Sequence, residues 1–369
     1  MHLQTEILKR LLHVKAIGCD ADLREEIRTI PKCELHVHLA GAVRRSTLVD
    51  LARKNNVSLP ASSAQDFLQA PNLLMLSSGN EIWELFHRMY QWCWSCVRSC
   101  DDLERIVFEF LEDSYHQGVR HSEFTVSGSA VMHKFPFDEW TDAVALGIHR
   151  AQASYPIAAA AILDISRRSG PAQAHANVDK VIQGRPSALC GIGMGGDEVK
   201  YPDSLFTEAF QHARKNAIPS TVHVAEFAPG ETTITTIEML QPNRLGHALN
   251  TIKSTQAYAI LKEKGIHVES CPLCNYLGLV GGLTCIEEHP ISKYYMDGIP
   301  ISINTDDPHI FGFDLLDNYV CLFKEAHFTI EDFRAINKRA ATFGFIPSSE
   351  MARAGQPALS IGEANTRQT

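Results

Sequence analysis

The chain has 369 residues, 45% of them hydrophobic and 21% charged, with a net charge of −9 and ten cysteines. That balance fits a globular protein with a sizeable core, and the lack of a basic stripe argues against binding along a nucleic-acid backbone. Apolar runs such as 157–163 are far too short for a membrane span, the N-terminus has no apolar signal core, and cysteines without framework spacing predict a reducing, cytoplasmic setting.

Residues 1–30 predict a charged helical extension, with Leu3, Ile7, Leu11 and Val14 near one face. The run 33–39 reads as a first strand, followed by a loop at Gly41 and a helix from about Ser46. Residues 62–115 form the longest insertion, with an aromatic-rich helix over 81–96 and an amphipathic one over 101–117. Such a segment suits either a lid or packed surface helices. Strand-like runs then recur at 119–126, 157–165, 188–194, 220–225, 244–249, 265–271 and 299–305, each followed by helical sequence. Eight units without a Gly/Ser linker predict one α/β domain over 31–345, a (β/α)8 TIM-type barrel with extra helices. Residues 346–369, with Gly355, Pro357 and Gly362, predict a loosely held tail.

Active sites of such barrels lie at the C-terminal ends of the strands. Those ends supply His36 and His38, Gly195-Gly196-Asp197, His223 and Glu226, Gly246-His247, Cys271-Pro272, and Asp306-Asp307. His36 and His38 alternate along a strand and so share a face, although a solitary pair of this kind is more often structural. Joined by His223 and Asp306, they offer three imidazoles and a carboxylate to one zinc ion and leave room for a water. Zinc lowers the pKa of such a water toward neutrality. The fourth strand end, 193–196, has no bridging lysine or glutamate, so one metal per subunit is expected rather than two.

Glu226, three residues past His223, suits a general acid/base, the alternative being a salt-bridged loop carboxylate. His247 is placed to orient a water or a developing oxyanion, or else is a buried structural histidine. Asp307, next to Asp306, is expected to face the other way and hold a polar atom of the substrate. Two motifs carry nothing. The G-x-G-x-x-G of 191–196 opens no helix and has no acidic residue about twenty positions on. The C-x-x-C of 271–274 ends a strand and has no partner motif.

The segments Pro31-Lys32-Cys33-Glu34-Leu35-His36-Val37-His38-Leu39, Gly196-Asp197-Glu198, Thr221-Val222-His223 with Glu226, Arg244-Leu245-Gly246-His247, Cys271-Pro272 and Asn304-Thr305-Asp306-Asp307-Pro308, in that order, resemble the adenosine deaminase family of the amidohydrolase superfamily. The resemblance implies zinc on His36, His38, His223 and Asp306. It implies Glu226 protonating purine N1, with His247 and Asp306 assisting the attacking water. It also implies Asp307 at N7 and the Gly196 backbone at N3, with His38 and Ala40 among the substrate-binding positions. A zinc-dependent hydrolysis of adenosine or a close 6-aminopurine nucleoside to the inosine-type product follows as the expected activity.

The chain departs from the family pattern on the substrate side. Ala40 stands where an Asp meets the ribose 5′-hydroxyl, and Thr125-Val126-Ser127-Gly128 replaces Arg-x-Ser-Pro. An Asp usual near Gly193 is missing, Ala248 replaces a Gly, and Cys274 replaces a Ser-like residue. Ala40 would admit an apolar 5′ group such as methylthio. Alternatively, Arg44-Arg45 or Arg167-Arg168 would hold a 5′-phosphate, as in deaminases of N6-methyl-AMP type. A non-catalytic nucleoside-binding protein is the reading from another class, and it would require a lost ligand or proton donor.

Overall fold

The structure is a computed structural model and describes residues 2–347. Eight strands pair in sequence order, all parallel: β1 Lys32–Glu34, β2 Val119–Ser127, β3 Ala158–Ser166, β4 Leu189–Gly195, β5 Ser220–Val224, β6 Arg244–His247, β7 His267–Ser270 and β8 Ile301–Ile303. Parallel neighbours need crossovers, and the alternating helices supply them. The expected barrel is therefore present and nearly closed.

β1 and β8 are too short to close it by a regular ladder, so side chains complete the seam. Asn304 Oδ1 accepts from the Leu35 amide at 2.8 Å, and Glu34 Oε1 accepts from the Thr305 hydroxyl at 2.6 Å. Past the strand ends the backbones meet again, with the Asp306 amide on His36 carbonyl (3.1 Å) and the His38 amide on Asp306 carbonyl (2.8 Å). His36 and His38 thus lie beyond β1 proper, in extended chain bridged to β2 and to Asp306.

The N-terminal extension is two helices, His2–Ile17 and Ala21–Thr29, instead of one. Asp20 breaks the run because its side chain accepts from the Leu23 amide and caps the second helix. Ile7, Leu11 and Val14 are buried as expected. Lys15 and Arg24 each pair with Asp317 at 2.6 Å, fastening the extension to the Leu315–Glu325 helix. The insertion also differs from expectation. Cys100–His116 packs on β2 and on the Phe137–Ser154 helix, so it is the first crossover helix of the barrel. Gly147 permits that close approach, since a Cβ there would sit 2.7 Å from Val107.

At the opposite end from the strand termini, Arg244 is fully buried between two carboxylates, Glu269 at 2.5 Å and Glu123 at 2.6 Å. Glu123 also accepts from the Ile346 amide at 3.0 Å, and Arg244 lies 3.6 Å over the Phe345 ring. Ile346 is buried in this plug, while residues 348–369 of the expected tail lie outside the described residues. Arg244→Leu strands two buried carboxylates and is expected to cost about 3–5 kcal/mol, read as a lower denaturant midpoint. Burial pushes the Glu123 carboxyl up, but Arg244 and His121 outweigh it and hold it at about 2. Its contribution is therefore full above the unfolded value of about 4.3 and lost as pH falls toward 2. Denaturant midpoints measured down that range should fall, and less steeply in Glu123→Gln.

Candidate metal centre and active site

The ends of three strands, β1, β5 and β8, bring His36, His38, His223 and Asp306 together, with one donor atom from each within 4.8 Å of the others. His38 Nε2 lies 3.3 Å from His223 Nε2 and 3.2 Å from Asp306 Oδ1, and His36 Nε2 lies 3.5 Å from the same oxygen. His36 Nε2 is buried without a hydrogen-bond partner, a costly arrangement unless something else meets its lone pair. Its Nδ1 faces Glu269 at 2.8 Å, and His223 Nδ1 donates to the Met194 carbonyl at 3.1 Å. Both contacts leave Nε2 free as a ligand, the usual outer arrangement of a metal-bound histidine. Burial lowers the His36 pKa, but the neighbouring carboxylates of Asp306 and Glu269 outweigh it and hold it at about 10. These four residues fit a metal ion.

His247 is built differently. The Ile291 amide donates to His289 Nδ1 (3.2 Å), so His289 Nε2 donates to Asn275 Oδ1 (3.3 Å) and Asn275 Nδ2 donates to His247 Nδ1 (3.2 Å). That chain puts the His247 proton on Nε2, which points inward, 3.7 Å from Glu226 and 3.9 Å from Asp306. Burial lowers its pKa to about 4, so the ring is neutral and offers a donor. His36, His247, Cys271 and Asp306 also cluster. That set is a poor metal site, because His247 presents a proton and burial pushes the Cys271 thiol up.

Glu226 sits on a loop clamped by a residue to which sequence reasoning assigned no role. The Glu198 carboxylate accepts from the amides of Ala225 (2.7 Å), Phe227 (2.6 Å) and Ala228 (2.9 Å), while Asn250 donates to the Glu226 carbonyl at 2.9 Å. Burial and the nearby Asp306 carboxylate push the Glu226 carboxyl well up.

Asp306 and Asp307 both line the cavity, contrary to the expectation that they face apart. The reason is backbone: Asp306 has left the strand for φ +63, which re-aims its neighbour. Gly41 makes room, since a Cβ there would fall 2.0 Å from Asp307 Oδ1. Cys274 donates to Asp306 Oδ2 at 3.0 Å, giving this ligand a partner that sequence reasoning missed. Ala225, His247 and Ala248 also take left-handed backbone, with φ of +50, +57 and +47. Each such position costs about 1–2 kcal/mol, and they gather where the functional side chains are aimed.

These groups face a cavity of about 360 Å³, a size suited to a small molecule. One face of the Ile82–Cys96 helix (Ile82, Trp83, Phe86, His87, Tyr90 and Gln91) forms a wall. Trp83 stacks on His87 at 5.7 Å and Phe86 on Phe311 at 6.1 Å. The insertion thus closes the cavity with aromatic rings. Gly196, at φ +102, lines it as expected. Ala40 does not border it, because the chain turns into the Leu39–Ala42 helix directly after His38 and buries the methyl group.

Most of the proposed phosphate arginines are already engaged. Arg44 pairs with Glu112 and Asp113, each at 2.6 Å, and Arg45 donates to the carbonyls of Ala70 and Pro71. Arg167 pairs with Asp203 at 2.6 Å and donates to the His223 carbonyl at 2.9 Å. Arg168 does line the cavity, 3.5 Å from His87.

A parallel barrel with a candidate His/Asp metal site at its strand ends is an arrangement suited to metal-assisted hydrolysis. A profile of the adenosine deaminase family matches residues 31–354. The chain is 28% identical over 324 residues to adenosine deaminase of Shigella flexneri, covering 87% of this chain and 96% of that one. It is 29% identical over 336 residues to adenosine deaminase of Xenopus tropicalis, covering 87% and 92%. Among solved structures it is similar to an amidohydrolase from Burkholderia ambifaria with bound zinc, with TM-score 0.78, 27% identity and coverage of 89% and 90%. In fold it also matches the N6-methyl-AMP deaminase of Arabidopsis thaliana, with TM-score 0.76, 23% identity and coverage of 90% and 97%. The chain belongs to the adenosine deaminase family and is a hydrolytic deaminase.

Replacing Glu198 with Ala leaves three amides of the 225–228 loop without their acceptor. The expected cost is about 3 kcal/mol, with faster amide hydrogen exchange confined to that loop. Unchanged exchange there would mean that Asn250 alone holds Glu226 in place.

Proposed function

We propose that this deaminase hydrolyses the 6-amino group of adenosine or a close 6-aminopurine nucleoside, using one zinc ion per subunit. The observation that carries the reading is the convergence of His36, His38, His223 and Asp306 beside a carboxyl, Glu226, whose pKa burial and the Asp306 carboxylate push well up. The zinc-bound relative supports the choice of metal. Bound there by the three imidazoles and Asp306, zinc would supply the Lewis acidity that makes water a nucleophile near neutral pH.

The remaining work falls to this chain's own side chains. Attack at C6 builds negative charge on N1. A protonated Glu226 at N1 meets that charge more strongly than it meets the ground state, which lowers the barrier. His247, with its proton on Nε2, donates to an oxygen placed between it and Asp306. The unpartnered Oδ1 of Asp307 faces N7, and the left-handed Gly196 exposes its amide to N3. Aromatic rings of the Ile82–Cys96 helix exclude water above the base. Small-molecule binding agrees with the cavity size, and among the described residues no helix is long and apolar enough to cross a membrane. A cytoplasmic setting agrees with the buried thiols of Cys33, Cys93, Cys96, Cys271, Cys274 and Cys321.

A second reading, deamination of an N6-substituted AMP, is favoured by Arg168 beside His87 at the cavity, the one member of the two arginine pairs that lines it. A non-catalytic nucleoside-binding role would need a missing ligand or proton donor, and each expected residue is in place.

The loss of the 6-aminopurine ultraviolet spectrum on conversion to inosine tests the reading. Exhaustive chelation is expected to abolish turnover and added zinc to restore it, whereas full turnover after chelation would overturn the metal assignment. Glu226→Gln should lower kcat by about 10²–10⁴-fold with the zinc content unchanged.

A further inference from the structure

The wall opposite Glu226 holds a carboxylate that the reaction above leaves unused. Asp164, on β3, lines the cavity, is 7% exposed, and its Oδ1 has no hydrogen-bond partner. The residues beside it carry no side chain: Gly193 is its partner in register on β4, and a Cβ at Gly195 would stand 3.5 Å from that oxygen. A buried acceptor kept open in this way is costly unless a ligand donor meets it. Burial pushes its pKa up to about 6, with His38 and His36 pulling the other way, so the group is ionised at neutral pH.

Barrel order says what part of the substrate lies there. In the orientation proposed above, Glu226 after β5 takes N1, Gly196 after β4 takes N3, and Asp307 after β8 takes N7. On a purine, N9 lies between N3 and N7 on the side away from N1. The substituent on N9 must therefore leave the ring toward the arc β3, β2, β1, which runs from Gly196 round to Asp307. That arc presents Asp164 and Ser166 on β3, Ser127 and Ser129 at the end of β2, and His38 after β1. Arg167, beside Asp164 in sequence, is committed to Asp203.

We propose that Asp164 accepts a hydrogen bond from a hydroxyl of the sugar on N9, and that its charge disfavours a phosphate on that sugar, so the substrate is an uncharged nucleoside. This inference rests on the purine orientation of the proposed function. It also separates that function's two readings, because a carboxylate on the sugar arc opposes what Arg168 would attract.

The test measures kcat/KM of the zinc-loaded enzyme for adenosine, its 2′-, 3′- and 5′-deoxy forms, and AMP, in the wild type, Asp164→Asn and Asp164→Ala. Melting temperature and zinc content serve as controls for folding and loading. Wild type should favour adenosine over AMP by about 100-fold or more, as like charges at a binding site require. Asp164→Asn keeps the shape and removes the charge, and should shrink that preference at least tenfold. Asp164→Ala should lose about tenfold or more on adenosine, as expected for a hydrogen bond to a charged group. One of the deoxy substrates should show the same loss in wild type and no further loss in Asp164→Ala. An adenosine-to-AMP ratio and an adenosine rate unchanged in both variants would overturn the role of Asp164 while leaving the deaminase reading intact. Failure of the wild type to deaminate any purine in the panel would overturn the proposed function, and this inference with it.

Discussion

Closure of the seam between β1 and β8 is the constraint on which this site depends. The two strands pair regularly for only three residues each, and the metal donors straddle the gap between them. His36 and His38 come from one side and Asp306 from the other, joined by amide–carbonyl bonds adjacent to the donors themselves. Glu34 and Asn304 complete the seam from side chains because both strands leave the ladder early. Leaving it early is useful: Asp306, outside the regular ladder, takes the left-handed turn that points it and Asp307 into one cavity.

The same logic runs round the barrel mouth. Strands end in residues of unfavourable backbone conformation, and buried polar groups hold them there. Glu198 and Asn250 fix the loop of Glu226, and Glu269 supports His36 while joining it through Arg244 to the plug at the far end. The relay from the Ile291 amide through His289 and Asn275 sets which nitrogen of His247 carries the proton. Outer contacts thereby turn a lone pair inward on His36 and His223 and a hydrogen inward on His247. Chemistry at the centre is decided by contacts one layer out.

Viewed from the mouth, the barrel splits into two arcs. The arc from β5 to β8 carries Glu226, His247 and Asp306, groups that the proposed reaction sets on a 6-aminopurine ring. The arc from β3 back to β1 carries a carboxylate and hydroxyls facing whatever the ring bears. Features of the first arc match the family closely, and those of the second depart from it. Such a division lets one reaction serve different substrates, because different residues line the two arcs.

Sequence by itself determined the barrel and singled out the residues proposed as metal donors and proton donor. Alternating apolar runs and helical periods are local signals, and a His-x-His pair followed by His223, Glu226, His247 and Asp306 at successive strand ends is legible once the barrel is assumed. It also determined that the substrate side is unusual, through Ala40 and the altered second strand. Only the tertiary structure decided which charges are free. Arg44, Arg45 and Arg167 look available in the chain, yet each is spent on partners 25 to 69 residues away. Likewise Asp164 reads as one more strand residue until the bare glycines beside it leave its Oδ1 without a hydrogen-bond partner at the cavity. The break at Asp20, the rotation of Asp306 and the His247 tautomer share that character. Each is settled by a hydrogen bond or backbone angle whose effect depends on which groups folding brings within about 3 Å, a distance that periodicity does not encode.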